Sequence, residues 1–108
     1  MTGKDRLKID LLYFEGCPSW QEALSNLKTA LLRKGVAAEI RPIRVEDEAQ
    51  AAALRFNGSP SFQIDGRDWW PEERQGYPLC CRVYPTQAGL RGAPGVEMLQ
   101  AKLDEILL

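Results

Sequence analysis

Apolar residues crowd the stretch Leu7 to Phe14, with Ile9, Leu11 and Tyr13 alternating on one face and Leu12 and Phe14 on the other. A strand buried on both faces carries this pattern, and such strands sit centrally in sheets that pack against helices. Gly16-Cys17-Pro18 ends the run. Pro18 suits the first position of a helix, where its missing N–H costs nothing. Trp20, Leu24, Leu27 and Leu31 then recur at spacings of four, three and four, which is one helical face. Arg33 and Lys34 complement the C-terminal dipole of that helix, and Gly35 is a natural stop.

Ala38 to Val45 reads as a second strand, interrupted by Pro42. Proline removes a ladder donor, so this strand belongs on a sheet edge, with room for a bulge. Strand, helix and strand in succession predict a right-handed βαβ unit with parallel strands. Glu46 to Phe56 starts acidic and continues through alanines, predicting a shorter helix stopped by Asn57-Gly58. Ser61–Ile64 and Arg67–Trp70 flank Asp65-Gly66, a hairpin signal.

Pro71 to Pro78 predicts a surface loop, Leu79 to Tyr84 a short extended piece, and Pro85 to Gly95 a second loop. Together they form an insertion over about 71–95. Val96, Leu99, Leu103, Ile106 and Leu107 define a closing amphipathic helix. The order β-α-β-α-β-β-α is that of an α/β domain, parallel first and antiparallel later, with helices for both sheet faces.

A length of 108 residues fits one domain, 1–108, with its own core. The 14 Lys+Arg and 15 Asp+Glu leave a net charge of −1, so the basic footprint of a nucleic-acid or anionic-membrane protein is missing. No apolar run is long enough to span a bilayer. The first ten residues lack the apolar stretch of a secretory signal, and the expected compartment is the cytoplasm. The absence of histidine removes Ser-His-Asp and Cys-His catalysis and His-ligated zinc together.

Candidate chemistry therefore rests on Cys17, Cys80 and Cys81. Three is an odd number, which rules out full internal pairing. Cys17 falls where the first strand hands over to a helix, at or near its N-cap. Unpaired amides and the dipole there stabilise a thiolate. The plainer alternative is a buried cysteine acting as a small hydrophobe. Ser59-Pro60 opens the third strand, either as an ordinary edge or turn proline or as a cis proline. Adjacent Cys80 and Cys81 admit a strained vicinal disulfide, soft-metal binding or, as neighbours in an extended segment, opposite orientations. Trp69-Trp70 requires either a covering loop or a contact surface for one ring. Glu15 reads as a solvated carboxylate, and Arg55, Arg67 and Arg82 as surface arginines or as a carboxylate site for a glutathione-like ligand.

The arrangement resembles the thioredoxin-like superfamily over nearly the whole chain. The resemblance is carried by the element order, by Cys17-Pro18-Ser19-Trp20 opening the first helix and by Gly58-Ser59-Pro60-Ser61 starting the third strand. It is strongest to small bacterial members whose first strand ends in a Tyr-Phe-x-Gly-Cys-Pro sequence, here Tyr13 to Pro18. It implies a four-stranded mixed sheet in order 2-1-3-4 with helices on both faces. It makes Cys17 the nucleophile, Pro60 a cis proline and Ser59 the residue facing the sulfur. Pro18, Ser59 and Pro60 are the candidate substrate contacts, with Trp20 read first as core or rim packing and second as a substrate-stacking ring.

Trp20 stands where that family has its second, resolving cysteine. Thiol–disulfide exchange needs another thiol to release the mixed disulfide. Cys80, Cys81 or an external thiol such as glutathione would supply it. The expectation is an atypical thiol–disulfide oxidoreductase without cofactor or resident metal, acting on a protein or small-molecule thiol or disulfide. Its alternatives are a non-catalytic binding module of the same fold and a soft-metal or organomercurial thiol site.

Overall fold

The computed structural model describes residues 7–72 and 76–107. Its main sheet has four strands in the order β2-β1-β3-β4. β1 (Leu7–Tyr13) pairs parallel with β2 (Ala38–Arg44) and antiparallel with β3 (Ser61–Ile64), which pairs antiparallel with β4 (Arg67–Asp68). This is the expected order. Pro42 lies in the edge strand β2, where no neighbour needs its missing N–H.

The pleat of β1 sends successive side chains to opposite faces. Ile9 and Leu11 enter the larger core with Phe62, Trp69 and residues of α1 (Trp20–Lys34) and α3 (Val96–Leu107). Leu12 enters a smaller core with Val45, Phe56 and Ala51 of α2 (Glu48–Leu54). Helices thus pack on both faces of the sheet.

Local chemistry explains the boundaries. Gly35 ends α1 in the left-handed region at φ 65°, its N–H reaching the last carbonyls. Asp47 caps α2, accepting the Gln50 N–H, while Gln50 reaches back to the Glu46 N–H. That box starts α2 at Glu48, two residues later than expected. Arg55 at φ 55° ends it before Asn57-Gly58 is reached. Asp65 and Gly66 both take positive φ, as the tight turn between β3 and β4 requires.

The insertion differs from the expected pair of loops. β5 (Tyr84–Thr86) and β6 (Gly89–Arg91) form a separate two-stranded sheet that starts at the end of the expected extended piece and runs into the stretch 85–95, where the glycines and prolines read as loop. Residues 73–75 of the first predicted loop lie outside the described residues. Among the described residues no helix is long and apolar enough to cross a membrane.

Candidate functional site

Cys17 lies just beyond the C-terminal end of β1. Its N–H bonds the Phe14 carbonyl at 3.1 Å, closing a turn. That turn delays the helix: α1 begins at Trp20 with Ser19 as its N-cap, so Cys17 stands two residues outside the cap and Pro18 is exposed rather than first in the helix. Cys17 is only 3% exposed. Its surroundings are polar, however, because its thiol donates to the Ser59 carbonyl at 3.4 Å.

The antiparallel register of β1 and β3 brings Ser59 to this end of the sheet. Ser59 and Pro60 are fully buried and joined by a cis peptide bond. Besides receiving the Cys17 thiol, Ser59 accepts the Phe14 N–H through Oγ at 3.3 Å. Trp20 stacks on Tyr13, ring centroids 4.0 Å apart, and packs against the larger core. One face of its ring is therefore covered by the protein itself.

The insertion supplies the remaining partners. Cys81 forms an isolated parallel bridge with Ser59, whose N–H donates to the Cys80 carbonyl at 2.8 Å. The Ser59 carbonyl in turn accepts the Arg82 N–H at 2.9 Å. The bridge sets Cys81 beside Cys17, near enough for the two thiols to influence each other. Cys81 is exposed, whereas Cys80 is half-buried. Partial burial pushes the Cys81 thiol up, reinforced first by the neighbouring Cys17 and then by Cys80. The structure thus brings together Cys17, Cys81 and Ser59-Pro60.

Arg82 holds this segment in place and was legible only as an arginine. It is 3% exposed, not a surface residue and not an open carboxylate site. Its guanidinium bonds both Asp68 oxygens, at 3.1 and 2.9 Å, Ser61 Oγ at 3.1 Å and the Trp70 carbonyl at 2.5 Å. Glu72 lies 3.4 Å away. Burial opposes its charge, but Tyr84, Asp68 and Glu72 outweigh that and hold the guanidinium above its ordinary range. Tyr84 donates to the Pro60 carbonyl at 2.5 Å, and burial pushes its hydroxyl upwards. Trp70 meets Tyr84 edge-on, so the insertion covers the tryptophan pair. Arg55 and Arg67 remain exposed, and Glu15 pairs with Arg44 at the surface.

Two neighbouring thiols can exchange two electrons with an outside disulfide, closing a bond of about 2.05 Å between them. Comparison with family models, with curated proteins and with solved structures finds no match.

Proposed function

We propose that this chain is a thioredoxin-like thiol–disulfide oxidoreductase whose redox pair is Cys17 with Cys81. The carrying observation is the convergence of Cys17 and Cys81 on Ser59, the one through its thiol and the other through the backbone bridge. The strand order and the meeting of Cys17 with the Ser59-Pro60 turn support the thioredoxin-like reading. Cys81 supplies the second thiol of the pair, which Trp20 cannot.

Access assigns the roles. Cys17 is buried and Cys81 exposed, so an outside disulfide meets Cys81 first. The Cys81 thiolate attacks one sulfur and releases the other half as a thiolate. Cys17 then attacks Cys81, closing the internal disulfide and releasing the second half. A dithiol that cycles in this way suits a reducing compartment such as the cytoplasm.

The soft-metal alternative would use Cys17 with Cys80 or Cys81 and predicts tight Hg(II) or Cd(II) uptake in place of exchange. The binding-module alternative predicts no exchange at all. Trapping with a small aromatic disulfide separates these readings. Cys17→Ser should accumulate a stable mixed disulfide on Cys81, and Cys81→Ser should lose fast capture by tenfold or more. Undiminished capture in Cys81→Ser would overturn the assigned roles, and no capture by the unaltered chain would overturn the function.

A further inference from the structure

We infer that the Cys17–Cys81 pair exchanges with small disulfides, of the size of a tripeptide dimer or less, and excludes disulfides embedded in a folded or extended polypeptide. This rests on the function proposed above and names its substrate class.

A disulfide within a polypeptide brings main chain on both sides of its sulfurs, and that chain must be received beside the pair. The backbone groups available there are those of Ser59. Its N–H is taken by the Cys80 carbonyl at 2.8 Å and its carbonyl by the Arg82 N–H at 2.9 Å, with the Cys17 thiol on the same oxygen at 3.4 Å. The chain's own residues 80–82 thus fill the pairing position that an incoming strand needs.

The segment is fastened on both sides of the sheet. Tyr77 and Leu79 pack against the smaller core and Tyr84 belongs to the larger one, so the chain crosses the end of the sheet between them. Arg82 is buried in the middle of the crossing and bonded to Asp68. Lifting the segment would leave both charges of that pair without their partner, the costly way to break a buried ion pair. Gly58 fits tightly beneath it: a Cβ there would stand 3.1 Å from Arg82 Cβ. What stays open is Cys81, an exposed residue, which a small disulfide reaches without displacing any backbone.

The reaction balances as dithiol plus RSSR giving the Cys17–Cys81 disulfide and two RSH. The two thiols lose two electrons and two protons, and the small disulfide gains both.

The test is single-turnover oxidation of the fully reduced chain by hydroxyethyl disulfide, oxidised glutathione and insulin at equal disulfide concentration, quenched with acid and read by mass. Both small disulfides should oxidise the pair at least tenfold faster than insulin does. Insulin reacting as fast would overturn the inference while leaving the oxidoreductase function standing; failure of all three would overturn the function itself. In folded Asp68→Asn, a weaker anchor should shrink the rate ratio severalfold, and an unchanged ratio would show that the segment is not the barrier. Should that variant not fold, the comparison on the unaltered chain decides alone.

Discussion

Cys17 and Cys81 both flank Ser59, yet they face different surroundings, and their chemistry divides accordingly. Burial, the neighbouring Cys17 and Cys80 all favour the protonated form of Cys81. A raised thiol pKa means less thiolate at any given pH, so alkylation of Cys81 should keep accelerating beyond pH about 8.5, the ordinary thiol midpoint. Replacing Cys17 by Ala removes one of those causes and should move the midpoint back down. Iodoacetamide labelling against pH, mapped by mass, checks both; a Cys81 rate already level by pH 8 would contradict the geometry. Cys17 should label slowly in the folded chain and quickly once unfolded, as its burial dictates. The sequence marked Cys17 through its place between strand and helix. It gave no sign of which neighbour, Cys80 or Cys81, turns towards it, because that depends on the bridge to Ser59, a contact between residues 22 apart in the chain.

At the scale of elements, the segment from Leu79 to Tyr84 is fastened by polar groups inside the protein rather than by apolar burial alone. Truncating Arg82 to Ala strands Asp68, whose side chain is 6% exposed, and should cost about 3–5 kcal/mol in urea unfolding. Tyr84→Phe removes one buried hydroxyl bond to Pro60 and should cost about 1 kcal/mol, the ordinary net value. Gly58→Ala combines a φ of 100° with the approach of Arg82 and should cost about 1–3 kcal/mol. An Arg82→Ala protein as stable as the original would mean that the segment is held by something else. These anchors were the least legible part of the chain. A single arginine among polar and glycine-rich stretches reads as surface, since nothing local announces the aspartate 14 residues earlier that neutralises it. β5 and β6 were missed for a related reason: Pro85 and Gly89 are turn residues by habit, and only pairing with each other makes these short pieces strands. β1, α1 and the Asp65-Gly66 turn, by contrast, were visible because periodicity and backbone preference are local properties.

For the whole molecule, the succession of strands and helices follows from patterns that span the sequence, and the two cores follow from the two-faced character of β1. The site follows from neither. It is assembled where the end of β1, the start of β3 and the insertion meet, so it exists only in the folded chain. This predicts that the cysteines lose their selectivity on unfolding: in strong denaturant, Cys80 and Cys81 should alkylate like Cys17, within about twofold. The most direct measurement is peptide mapping after mild oxidation of the native chain with a stoichiometric small disulfide, followed by alkylation. The account predicts a Cys17–Cys81 bridge with Cys80 alkylated. A Cys80–Cys81 bridge, or three alkylated cysteines, would contradict it.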